Sequence, residues 1–263
     1  MQIGVSQLIL PKVTMADFLQ QAATAGYEVV ELCMRQEGEL TPSLGEDDLQ
    51  RLAEQIRASG LKAVSMTHSH CTGNLLDSGL AQRTSIAETC AGLRAAARLG
   101  IGCTLHTLGR LRPDLYYDDA YSNAVASLRE IAVTAAEVNV NLAVEFVWNG
   151  FLFSPLEMRR FLDDVGSEHI GFYFDPGNMA VFQYPHHWVR IVGSHIKMVH
   201  LKDWQGSALK GGWPALLEGD VDYAAMNREL RAIGYQGPVI SEVPPSVAPL
   251  AETAAAMRKI ITL

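Results

Sequence analysis

Four side chains able to bind a cation, Glu145, Asp175, His200 and Glu242, each close a short apolar run in the second half of the 263-residue chain. The runs are Leu142-Ala143-Val144-Glu145, Gly171-Phe172-Tyr173-Phe174-Asp175, Met198-Val199-His200 and Val239-Ile240-Ser241-Glu242. A carboxylate or imidazole in a buried strand is costly unless it is paired, hydrogen-bonded or bound to a metal. One such residue would carry no message, but four at matching places point to a shared cage. Three carboxylates and one imidazole form a hard, mainly oxygen donor set suited to one divalent metal ion: Mn2+, Mg2+ or Co2+, with Zn2+ also compatible. The competing expectation is that the acids sit in buried ion pairs with Lys202 or Arg35, although one lysine cannot neutralise three carboxylates.

Other candidates cluster around the same strand ends. His68 and His106 lie near the ends of the third and fourth strand-like stretches, where substrate contact competes with a role as hydrogen-bonded rim histidines. His70 falls one short step further, in a loop. Lys202, two residues past His200, shares its face and could hold a substrate oxygen, stabilise a developing enolate or balance carboxylate charge. Asp175-Pro176-Gly177-Asn178 reads as a turn, in which Asn178 can either reach back over the site toward substrate or serve the turn alone. Glu31 could contact substrate, but a structural carboxylate between strands is the expectation. Trp148, Phe151, Phe153, Trp204 and Trp213 follow strands and could wall a sugar-sized pocket or simply pack loops. His169, His186, His187 and His195 fall in helices or connections, with no chemical role expected.

The elements that must position these groups recur along the whole chain. Strand character appears at residues 3–8, 28–33, 61–67, 101–107, 141–147, 170–175, 197–201 and 238–243, separated by stretches with apolar residues at helical spacing, such as Val125, Leu128, Ile131, Ala132 and Ala135. Eight such units predict an α/β fold, a closed single (β/α)8 TIM barrel, which commonly uses about 250 residues. Thr14 and Ser154 are expected to cap helices, with Pro155 at a first helical position. Gly26, Gly60, Gly100 and Gly234 supply left-handed helix ends. No linker or low-complexity tract interrupts the chain, so residues 1–263 are expected to form one domain. In such barrels the strand C-terminal ends form the active face, and period-two alternation directs Glu145, Asp175, His200 and Glu242 inward.

Composition narrows the function. With 48% hydrophobic residues, a formal charge of -8 and a pI near 5.5, the chain can build a large core but lacks the basic surface that grips a polyanion. No nucleic-acid partner is expected. No apolar stretch approaches the roughly 20 residues of a membrane span, and the start of the chain has no secretory pattern, so a cytoplasmic location is expected. Cys33, Cys71, Cys90 and Cys103 show no CxxC spacing and read as buried reduced thiols. GxGxxG, P-loop and GxSxG patterns are missing. The expected partner is a small sugar or polyol substrate, with homo-oligomers common among soluble enzymes.

With these residues placed, the chain resembles the xylose isomerase-like TIM barrels, the superfamily of sugar isomerases, ketose 3-epimerases, inosose dehydratases and endonuclease IV. The resemblance spans essentially the whole chain. It rests on Gly26-Tyr27-Glu28-Val29-Val30-Glu31-Leu32, Val144-Glu145, Phe174-Asp175-Pro176-Gly177-Asn178, Val199-His200-Leu201-Lys202-Asp203, Gly219-Asp220-Val221-Asp222-Tyr223 and Glu242. These motifs are specific for the superfamily and weak for the substrate.

The resemblance implies that Glu145, Asp175, His200 and Glu242 bind one divalent metal and that Glu145 and Glu242 also move protons. The implied activity is that of a metal-dependent sugar isomerase or epimerase acting on a ketose or related polyol. Many epimerases of this kind carry His where this chain has Asn178, which cannot act as a base, so an inosose dehydratase-type lyase stays open. Endonuclease IV is the rival from another class: His68 or His70 and His106 resemble two of its ligands. Against it, Asn178 replaces another ligand, no Asp-x-His pair follows His200, and the charge is acidic. A non-catalytic sugar-binding protein is the last alternative.

Overall fold

A computed structural model describes residues 1–208 and 210–263. Eight parallel strands close into a barrel: β1 (Ile3–Ser6), β2 (Val29–Cys33), β3 (Lys62–Thr67), β4 (Cys103–His106), β5 (Asn141–Glu145), β6 (Ile170–Phe174), β7 (Ile196–Leu201) and, after a small antiparallel hairpin of β8 (Gln205–Ser207) and β9 (Lys210–Gly212), β10 (Val239–Ser241). Neighbours in sequence are neighbours in the barrel, and β1 closes it by pairing with both β2 and β10. The helices α1 (Met15–Thr24), α2 (Glu46–Ala58), α3 (Gly79–Arg98), α4 (Tyr117–Val138), α5 (Pro155–Val165), α6 (Pro176–Ala180), α7 (Pro185–Val192), α8 (Tyr223–Ala232) and α9 (Leu250–Ile260) occupy the connections. The architecture is the expected single (β/α)8 TIM barrel.

Two apolar layers hold it together. The larger lies between strands and helices, and takes in Leu142, Val144, Phe172, Phe174, Val199 and Leu201. The smaller fills the barrel axis with Val29, Cys103, Leu105, Ala143, Tyr173, Met198 and Ile240. Strand alternation sorts residues between the two, because successive side chains face opposite sides of the sheet. Gly4 shows how tight the axis is: a Cβ there would meet Ile240 Cδ1 at 2.6 Å and Val29 Cγ2 at 2.7 Å. Glycine is what lets β1 close the cylinder at that level.

Local punctuation follows the sequence in most places. Thr14 Oγ1 accepts from the Asp17 amide at 3.1 Å, and Gly26, Gly60, Gly100 and Gly234 all take positive φ just past helix ends. Ser154 differs from expectation: it stands at the N-cap of α5 without a side-chain hydrogen bond, leaving Pro155 as the signal that starts the helix. The Asp175-Pro176-Gly177-Asn178 stretch also differs, being the opening of helix α6 rather than a free turn. Pro176 suits a first helical position, and the Asp175 carboxylate answers the freed amides behind it. The β8–β9 hairpin had no counterpart in the sequence reading.

The long connection after β7 is tied down from within. Buried Asp203 accepts from the backbone amides of Trp204, Leu217, Gly219 and Val221 at 2.9–3.2 Å. A carboxylate so placed replaces the ladder of hydrogen bonds that an irregular segment lacks.

Candidate metal centre and active site

The four cage residues follow directly from inward alternation. Ala143 lies on the barrel axis, hence so does Glu145, the last residue of β5; likewise Tyr173 predicts Asp175, Met198 predicts His200, and Ile240 predicts Glu242. Asp175 and Glu242 stand one residue beyond their strands, where backbone pairing has ended but the alternation persists. One oxygen or nitrogen from each of the four lies within 4.8 Å of the others. Asp175 and His200 are fully buried, and Glu145 is 7% exposed.

Each of the four is held by a partner. Asp175 Oδ1 accepts from the amides of Gly177 at 2.9 Å and Asn178 at 3.3 Å, while its Oδ2 meets Lys202 Nζ at 2.8 Å. Lys202 Nζ also meets Glu242 Oε2 at 2.7 Å, so one ammonium bridges two cage carboxylates. Asn178 Nδ2 donates to Glu145 Oε1 and to the Phe146 carbonyl, both at 3.1 Å. His200 Nε2 lies 3.1 Å from Glu31 Oε1. Glu31 in turn accepts from Ser6 Oγ at 2.7 Å, Ser65 Oγ at 2.7 Å and Tyr173 Oη at 2.6 Å.

This buried network fixes the imidazole. An ionised carboxylate only accepts, so Nε2 donates to Glu31 and Nδ1 faces the cage. Nδ1 has no hydrogen-bond partner among the described residues and lies 3.5 Å from Glu145 Oε1 and 3.7 Å from Glu242 Oε1. Burial opposes charge on the ring, yet Glu242 and Glu31 raise His200 well above an ordinary imidazole. For Glu31 burial works upward, but the His200 charge and the bonds from His200, Tyr173 and Ser65 hold the carboxyl below its usual range. Burial pushes Glu145 up to about 7, with nearby His200 opposing and the Glu242 charge adding to the rise.

The residues therefore fit a divalent ion. A proton on His200 answers the two nearest carboxylates when no metal is bound, and a cation ligated through Nδ1 would take its place. The carboxylate behind the imidazole is the partner that metal-binding histidines ordinarily use for orientation. Three oxygen donors and one nitrogen favour a hard or borderline ion.

Two cavities flank the cage. One of about 240 Å³ is lined by Thr67, His68, Leu105, His106, Thr107 and Glu145 among others. The other, about 500 Å³, is lined by Lys202, Trp213, Glu242, Val243, Pro244 and Val247 among others. Trp213 stacks on Trp148 with centroids 5.3 Å apart, and Lys202 Nζ lies 5.5 Å from the Trp213 ring. Of the aromatic residues singled out in the sequence, Trp213 thus lines a cavity, whereas Phe151 is 2% exposed and packs on Phe161 and Tyr117.

Glu31 is structural, as expected, but what it supports is the cage itself. Tyr173, Ser6 and Ser65 escaped the sequence reading. The available signal was a tyrosine two residues before Asp175, a hydroxyl placed inward in an otherwise apolar run. Register shifts occur beside Glu31 in the β2–β3 pair and beside Tyr173 in the β6–β7 pair. Such irregularities re-aim side chains near active sites.

Residues 19–260 match the family model described as xylose isomerase-like TIM barrel. An L-ribulose 3-epimerase from Methylomonas sp. (strain DH-1) is 25% identical over 228 residues, covering 84% of this chain and 75% of that protein. Among solved structures, a D-tagatose 3-epimerase-like protein superposes with a TM-score of 0.84 at 19% identity, covering 100% of this chain and 97% of its own. The IOLI protein with a bound zinc atom gives 0.81 at 16% identity, covering 100% and 98%. These two likenesses concern the fold alone.

Proposed function

The chain belongs to the xylose isomerase-like TIM barrel family, and we propose that it is a divalent-metal-dependent sugar isomerase or epimerase acting on a ketose or related polyol. The observation that carries this reading is the pair Glu145 and Glu242, both beside His200 in one buried cage. The similarity to an L-ribulose 3-epimerase supports an epimerase in particular. Glu145, Asp175, His200 and Glu242 would hold the ion, Mn2+, Mg2+ or Co2+ with Zn2+ as an alternative, and the bound ion supplies Lewis-acid polarisation of the sugar carbonyl.

The chain's own groups do the rest. Glu145, which lines the smaller cavity, is placed to take or give a proton. It removes the proton from the carbon beside the carbonyl, and Glu242 returns one from the opposite face. Lys202 places an ammonium where negative charge develops on a substrate oxygen. His68 and His106 hold hydroxyl groups in the smaller cavity, and Asn178 keeps Glu145 aimed while meeting the substrate itself. Residues 1–263 act as one domain. A cytoplasmic location fits the sequence, and no helix of the described residues is long and apolar enough to cross a membrane. A lyase of the inosose dehydratase type would use the same groups, and Asn178, which cannot take up a proton, favours that as the second reading.

The test is exchange from heavy water. Metal-replete protein incubated with a panel of ketoses and inososes should incorporate solvent deuterium at the carbon beside the carbonyl of its substrate. Tight metal and sugar binding with no exchange anywhere on the panel would replace the enzyme with a sugar-binding protein.

A further inference from the structure

The loop leaving β3 carries a second group of metal-binding side chains that the proposed reaction does not use as ligands. His68, His70 and Cys71 each offer one donor atom, and these atoms lie within 4.8 Å of one another. Ser65 bonds Glu31 on the barrel axis, so alternation turns His68 the other way, toward α3. There it meets Gly92, where a Cβ would come within 2.8 Å of His68 Cε1 and 3.1 Å of His70 Cε1. The missing side chain at Gly92 is what lets both rings converge, with centroids 5.3 Å apart.

These rings have unanswered chemistry. Both His68 nitrogens and His70 Nδ1 are buried with no hydrogen-bond partner among the described residues. His68 is 6% exposed and His70 0%. His70 Nε2 lies 2.9 Å from the Glu88 carbonyl oxygen, an obligate acceptor, so the ring proton sits on Nε2 and the lone pair on Nδ1. A backbone carbonyl holding the far nitrogen is a usual support for an imidazole that binds metal. Cys71 Sγ stands 3.8 Å from His70 Nε2 and 3.7 Å from Thr89 Oγ1. Both Cys71 and His68 border the 240 Å³ cavity that Glu145 also lines.

We propose that His68, His70 and Cys71 form a second metal site, taking a borderline-soft divalent cation of the zinc class and leaving its fourth position open to that cavity. Two imidazoles and a thiolate suit such an ion, and they differ from the oxygen-rich cage around His200. On binding, a metal–sulfur bond forms as the Cys71 S–H proton leaves to solvent. The donor set shares one histidine with the pair of the nuclease resemblance but replaces His106 with a second imidazole and a thiolate.

Co2+ is the probe that separates the two sites, because only a thiolate ligand gives a sulfur-to-cobalt charge-transfer band. Titration of metal-free native protein should bind two Co2+ per chain, and one of them should bring in this near-ultraviolet band. Cys71→Ser should lose the band and one equivalent, whereas Asp175→Asn should weaken the other equivalent and keep the band. A native protein that binds its cobalt with no such band overturns the proposal before any variant is made. A band that survives in Cys71→Ser does so as well.

Discussion

Histidine behaves in opposite ways on the two sides of the barrel mouth. On the side built by β5, β6, β7 and β10, charged groups have answering partners: Lys202 bridges Asp175 and Glu242, and Glu31 backs His200. On the side built by β3 and β4, imidazoles face one another, with His68 and His106 centroids 5.9 Å apart. Burial is severe at both. His200 is raised because carboxylates surround it, while burial, aided by His70, pushes His106 down to about 4. Burial sets the cost of a charge, and neighbours decide whether the charge is kept. One side is accordingly a cation cage and the other a neutral, lone-pair-rich wall.

The contrast can be broken most severely at the cage. Glu145→Gln and Glu242→Gln should each lower turnover by about 10²–10⁴, the usual worth of a general acid or base, with the fold intact by circular dichroism. Turnover within tenfold of native in both variants would remove them from the chemistry. Lys202→Met should cost about 10²–10³ in kcat if its ammonium meets developing negative charge. If metal affinity falls instead while kcat of the metal-saturated variant holds, Lys202 only balances charge.

Weaker interventions sharpen the comparison. Glu31→Gln leaves the cage ligands in place but weakens the acceptor behind His200, so metal affinity should drop by about 10–100-fold. Calorimetric titration measures this directly, and unchanged affinity would make Glu31 a packing residue. The gentlest intervention is pH. Metal binding displaces the proton His200 holds, so affinity at the cage should still rise with pH above about 7, by about tenfold per unit, and more steeply below it, where Glu145 must lose a proton as well. The imidazole of His106 stays neutral until the pH nears about 4, so its proton should not move over that interval. Ring-proton resonances of His106 check this, and a His106 that titrates near neutrality would erase the contrast between the two sides of the mouth.

The barrel was legible because alternation and helical spacing are local properties. The inward aim of Glu145, Asp175, His200 and Glu242 followed from counting by twos. Helix α6 was missed because Gly177 inside Asp175-Pro176-Gly177-Asn178 masks the capping aspartate and first-turn proline. The β8–β9 hairpin is too short and glycine-rich to alternate. The support for His200 was beyond reach for a different reason: Tyr173 and Glu31 are 142 positions apart, and only barrel closure and register make them neighbours. The position of His68 was readable, but its turn toward Gly92 depends on how α3 packs.

Asp203 carries one further consequence. Four amides from a segment spanning eighteen residues converge on a single carboxylate, which works as a guy-rope anchor for the span that brings Trp213 to the cavity wall. Slackening it should change how firmly a guest is gripped at the Trp213 wall. A change of guest therefore has a handle in this span, set apart from the carboxylates of the cage.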